Sequence, residues 1–201
     1  MTLVADAVGP VATNGGLAVH ATHTYHQLTH LLPLDTLLVA GGSGVMQQRE
    51  IASVKQVLCE VAPEVRRLGS ICSGAFLLAA AGLLDGCRVT THWRHAPQLA
   101  EEYPALSVEP DALYIESNGC YTSAGVTAGI DLALSLVEAD HGADLAGRVA
   151  RELVVFCSAQ EGSHSSARYC DTNKRRARCA ACWISSTPTP ALITGLRAWP
   201  S

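Results

Sequence analysis

The chain has 201 residues, 48% of them hydrophobic and 16% charged, with a formal net charge of -4. That is enough to bury one substantial core and carry a tail, and it excludes both a chain held open by self-repulsion and one that grips nucleic acid through bulk charge. No apolar run reaches the roughly eighteen residues of a spanning helix. The N-terminus also lacks the basic start and cleavage pattern of a secretory signal, so the expected setting is cytoplasmic, with no membrane partner.

The composition breaks near Phe156. From Cys157 onward there are six Lys or Arg against two acids, a net +4, which leaves -8 for the first 156 residues. Four cysteines (Cys59, Cys72, Cys87, Cys120) are scattered over that first part, and four (Cys157, Cys170, Cys179, Cys182) crowd into the last 45 residues. The expected organisation is a domain over 1–156 and an atypical tail over 157–201.

Residues 1–5 read as a strand, followed by a turn region at 9–16 rich in Gly, Pro and Asn, and a short alternating strand at 17–21. His20, His23, His26 and His30 would share a face if helical, but Thr, Tyr and the approach to Pro33 argue against a helix, and no metal is assigned to them. Asp35–Ala40 is a buried parallel-type strand running into Gly41-Gly42-Ser43-Gly44. Residues 48–61 carry Ile51, Val54, Val57, Leu58 and Val61 at helical spacing. A helix over 96–103, strands near 107–109, 113–116 and 120–124, and apolar helices over 126–139 and 145–156 complete the series. Strands alternating with helices imply a parallel sheet covered on both faces, with ligands at the strand C-terminal ends.

The chemistry centres on Ser70-Ile71-Cys72-Ser73-Gly74, between a short apolar strand and an alanine- and leucine-rich helix. Small residues on either side permit the sharp turn of a nucleophile elbow, and the N-terminus of the following helix favours a thiolate over a thiol. His92, at the end of the strand-like run Arg88–Thr91, is placed to act as base or orienter for Cys72. The Gly41-Gly42 loop and the Ser73 N–H are the candidate oxyanion donors. The alternative is that Cys72 is one more small buried hydrophobe and the glycines an ordinary strand-to-helix turn.

The run S-I-C-S-G-A-F-L-L-A-A-A-G-L-L-D-G, the T-T-H-W at 90–93 and Y-T-S-A-G-V-T-A-G-I-D-L-A-L at 121–134 resemble the ThiJ/PfpI, class I glutamine amidotransferase-like superfamily. Within it they are closest to the N-terminal domain of GlxA-type regulators of the AraC family. The resemblance covers about residues 1–156 and implies a flavodoxin-like α/β fold, often a homodimer, with Cys72 as the elbow cysteine and His92 as the family histidine. It implies a domain that senses a small molecule, DNA being bound only through a separate helix-turn-helix domain, and it implies no cofactor. Isonitrile hydratases share much of the pattern, so a Cys-dependent hydrolase or hydratase is the alternative function.

The resemblance fails at both ends. Family members begin earlier, with a central strand and a helix whose acidic residue approaches the cysteine. The sheet is therefore expected to lack its first strand and helix, and Cys72 its carboxylate partner. Beyond Phe156 no helical or strand period is evident, and a disordered or irregular tail is expected. Back-translated and read one base back, the tail is compatible with the Q-F-S stretch that such regulators carry, so it reads as out of frame and replacing the helix-turn-helix domain. Competing readings are a zinc module on Cys179-Ala180-Ala181-Cys182 and a basic DNA-binding arm at Lys174–Arg178.

Overall fold

The structure, a computed structural model, describes residues 1–155 and 192–194. The out-of-frame, zinc and basic-arm readings of the tail lie outside the described residues, the three at 192–194 excepted.

The chain opens with β1 (Thr2–Ala5) and a small ribbon, β2 (Gly9–Ala12) paired antiparallel with β3 (Ala18–Ala21). Gly9 and Pro10, expected in a turn, are therefore strand. A two-stranded ribbon has outer edges, where the N–H that proline lacks need not be paired. After β4 (His23–Thr24) comes a 3-10 helix, Tyr25–Leu31, whose start is fixed by the Gln27 side chain accepting from Thr24 N–H at 2.9 Å. His20, His23, His26 and His30 are thereby divided among two strands and this helix. Among the described residues no three His, Cys, Asp or Glu side chains converge as a metal site.

Next are β5 (Leu34–Val39), α1 (Val45–Gln48) and α2 (Ala52–Val61). One helix was expected over 48–61. The break falls at Arg49–Ile51, where Ile51 is extended and the Arg49 guanidinium reaches Glu102 and lies 5.5 Å from the centre of the Phe76 ring. β6 (Val65–Ile71) then runs into a single 3-10 turn, Cys72–Gly74, and α3 (Ala75–Ala80). β7 (Arg88–Val89), α4 (Ala96–Glu102) and β8 (Ser107–Val108) follow, and β7 pairs with β8 outside the main sheet. β9 (Tyr114–Ser117) and β10 (Cys120–Ser123) form a hairpin through Asn118 and Gly119, both at positive φ (52° and 79°), as a two-residue primed turn requires. α5 (Val126–His141) and α6 (Ala143–Glu152) close the domain.

The main sheet has the order β4-β1-β11-β5-β6-β10-β9, where β11 is Leu192–Thr194. β5, β6 and β10 are parallel, with Leu37 opposite Leu68 and Thr122 opposite Ser70. β11 lies antiparallel between β1 and β5, placing residue 193 opposite both Leu3 and Leu38. The sheet was expected to lack the family's first strand and the tail to be irregular; the three described tail residues lie in the slot between β1 and β5, pairing backbone groups that would otherwise face each other across a gap.

Alternation along β6 divides the two faces. Leu68 points into a core with Leu37, Val39, Leu58, Phe76, Leu77 and Leu99, all buried and roofed by α1–α4. Arg67 and Ile71 point the other way, toward α5, where Ile71 lies against Gly129. At the base of that face Arg67, 6% exposed, makes a two-pronged contact of 2.7 Å per prong with Asp140 at the end of α5. Arg66 bridges Asp140 and Asp35.

Candidate functional site

β5 and β6 end side by side, so the loop after one and the turn after the other meet at the same sheet edge. Cys72 is at that turn with φ +56°, a left-handed conformation that non-glycine residues adopt only when their surroundings hold them there. Two close approaches hold it. A Cβ on Gly41 would sit 2.7 Å from Ile71 O, 2.8 Å from Ser73 N and 2.9 Å from Cys72 Cβ. A Cβ on Gly74 would sit 2.2 Å from Val39 O. Glycine is thus required at both places by backbone packed on backbone. Gly74→Ala is expected to push β5 and β6 apart and cost about 1–3 kcal/mol or more, read as a lower denaturation midpoint. An unchanged midpoint would mean that the turn does not pack on β5 in this way.

The turn is then tied down by side chains. Ser73 Oγ accepts from Gly42 N–H at 3.1 Å and donates to Gly42 O at 3.3 Å. Thr91 Oγ1 donates to Cys72 O at 2.8 Å, and Thr122 Oγ1 accepts from Thr90 N–H at 2.9 Å. Thr90 and Thr91 are wholly buried. The sequence reading passed over these threonines. The signal was available: adjacent hydroxyls in an apolar stretch must find partners when buried.

Of the expected site residues, Gly41, Gly42, Cys72 and Ser73 come together. His92 follows Thr91 and so reaches the same edge, but among the described residues no hydrogen bond joins its ring to the Cys72 thiol. The ring accepts from Arg94 N–H at 3.3 Å and lies 5.6 Å from Trp93 and 5.9 Å from His95, centre to centre. Burial, with His95 and Arg94 beside it, lowers the His92 pKa below its usual value.

Two observations bear on the chemistry expected at this turn. Cys72 was expected to favour the thiolate; burial pushes its thiol pKa up, and the Ser73 amide and hydroxyl only partly oppose this. The Gly42 N–H, expected to stabilise an anion, is already taken by Ser73. A concavity of about 200 Å³, mainly apolar, opens beside Trp93, Ala96, Pro97 and Val108 rather than over the sulfur.

Comparison with known proteins places this geometry. The chain is 36% identical over 146 residues to the isonitrile hydratase of Pseudomonas putida, covering 72% of this chain and 60% of that protein. It is 37% identical over 147 residues to the HTH-type transcriptional regulator CdhR of Pseudomonas aeruginosa, covering 73% of this chain and 42% of that protein. The chain therefore matches less than two thirds of the length of either. A solved AraC family transcriptional regulator from Pseudomonas putida superposes with a TM-score of 0.65 at 25% identity, over 75% of this chain and 78% of that one. No helix among the described residues is long and apolar enough to cross a membrane. The DJ-1/PfpI family model matches residues 1–139, the stretch that builds the β5–β6 edge, the strained Cys72 turn and the Thr91 tether, and the chain belongs to that family.

Proposed function

We propose that this domain senses a small molecule for an AraC-type regulator, binding its ligand at the edge formed by Gly41, Gly42, Cys72 and Thr91, with DNA contacted by a separate helix-turn-helix unit and the domain pairing as a homodimer. The observation that carries the reading is the state of the Cys72 turn. Burial pushes its thiol pKa up, among the described residues no hydrogen bond joins the His92 ring to it, and the neighbouring Gly42 N–H is used internally. A catalytic nucleophile needs a base within hydrogen-bond reach and free donors for the developing charge. A binding site needs only a rigid, shaped edge. The regulator relatives support the same reading.

The alternative is a nucleophile elbow in a Cys-dependent hydratase, favoured by the strained Cys72 and the similarity to isonitrile hydratase. The two separate on the Cys72→Ala variant. Sensing predicts that small nitrogenous compounds (amino acids, amides) raise the melting temperature of the parent, and that neither parent nor variant consumes an alkyl isonitrile. Isonitrile loss by the parent that vanishes in Cys72→Ala would overturn the sensing reading.

A further inference from the structure

A second pair of sulfurs lies away from the Cys72 edge, where the loop before β7 meets the β9–β10 hairpin. Cys87 is 4% exposed, and Cys120, the first residue after the Asn118-Gly119 turn, is partly exposed. Several contacts bring the two segments together. Arg88 N–H donates to Ser117 Oγ at 3.1 Å, and Ser117 is the residue opposite Cys120 in the hairpin. Cys120 Sγ donates to Leu83 O at 3.6 Å, and Asn118 Nδ2 lies 4.0 Å from Cys87 Sγ. Burial and then the neighbouring Cys87 raise the Cys120 pKa to about 11. Both carriers are rigid: the hairpin is closed by its primed turn, and the loop is anchored by Cys87 N–H to Leu84 O at 2.9 Å.

We propose that Cys87 and Cys120 are a reversible dithiol, closing to an intramolecular disulfide by exchange with a low-molecular-weight disulfide such as oxidised glutathione. Cys120, the accessible member, attacks as its thiolate and expels one small thiol, leaving a mixed disulfide. Cys87 loses its proton to solvent and attacks Cys120 Sγ, expelling the second. Two protein thiols are oxidised and one small disulfide is reduced to two thiols, so the electrons balance. The raised pKa makes the first attack slow at neutral pH and faster as pH rises. The crosslink fixes to the sheet the loop that continues through β7 to Thr91, whose hydroxyl holds Cys72 O. A redox input is thereby joined to the proposed ligand edge without using Cys72.

The test is incubation of the full chain with oxidised glutathione, acid quenching, alkylation and peptide mapping without reduction. The expected product is a peptide linking Cys87 to Cys120, lost on adding dithiothreitol and formed faster at pH 9 than at pH 7. In Cys87→Ser the same treatment is expected to leave Cys120 as a persistent glutathione adduct. Should that variant not fold, the parent decides alone. A stable Cys120 adduct with Cys87 still open to alkylation after denaturation, a link from either residue to another cysteine, or no reaction at either thiol would overturn the proposal.

Discussion

Replacing Ile193 by proline is expected to unfold or oligomerise the domain, although the residue lies far beyond the family-matched stretch. Residue 193 is the middle of β11, opposite Leu3 on one side and Leu38 on the other. Proline removes an N–H from the ladder and cannot take an inner-strand position. Losing β11 then leaves inner-edge groups of both β1 and β5 unpaired. Each such buried group costs about 1–3 kcal/mol against a total stability of about 5–15 kcal/mol. Open strand edges also recruit other chains. Urea unfolding with size-exclusion chromatography measures both effects. A midpoint and elution volume equal to the parent's would show that the β1–β5 slot does not depend on residues 192–194.

The second large effect is expected where β6 meets the end of α5. Asp140→Ala leaves the Arg67 guanidinium nearly buried, with Asp35 at 3.8 Å and the Tyr121 ring, 5.9 Å from it, in partial compensation. Breaking a buried pair from one side costs about 3–5 kcal/mol, and the partial exposure of Asp140 places the expectation near the lower figure. Replacing both partners, Arg67→Met with Asp140→Leu, is expected to recover much of the loss. The same cluster sets an acid limit. Hydrogen bonds from Arg67 and then Arg66 hold the Asp140 carboxyl well below the usual carboxylate range. A depressed folded pKa contributes stability that is complete above the unfolded value of about 4 and is lost as pH falls through the folded pKa. The parent should therefore lose stability below about pH 4 more steeply than Asp140→Asn. A loss under about 1 kcal/mol for Asp140→Ala at neutral pH would class the contact with ordinary surface ion pairs.

Much of this architecture was legible in the chain. β5, α4, β9 and β10 fall within a few residues of their expected bounds, because buried strands and amphipathic helices leave strong periodic signals, whereas the antiparallel pairing of β9 with β10 was not expected. The strained cysteine turn was legible for a related reason: Ser, Gly and Ala around a lone Cys are the residues that close backbone approach demands. The break at Arg49 was not legible, since it depends on Glu102 and Phe76, each far along the chain. β7 and β8 fall within the strand-like runs expected at Arg88–Thr91 and near 107–109, but their pairing with each other outside the main sheet was not legible, since it depends on the tertiary fold.

What the sequence determined by itself is the family, the α/β class and the place of Cys72 between a strand and a helix, because these rest on local composition and spacing. The tertiary structure decided the rest. The upward shift of the Cys72 thiol, the stacking of the His92 ring and the use of the Gly42 N–H depend on burial, on partners nineteen or more residues away or on neighbouring rings. The occupant of the central slot was decided the same way. Three residues of the tail carry too little pattern to announce a strand, yet two facing rows of unpaired backbone groups are enough to recruit one.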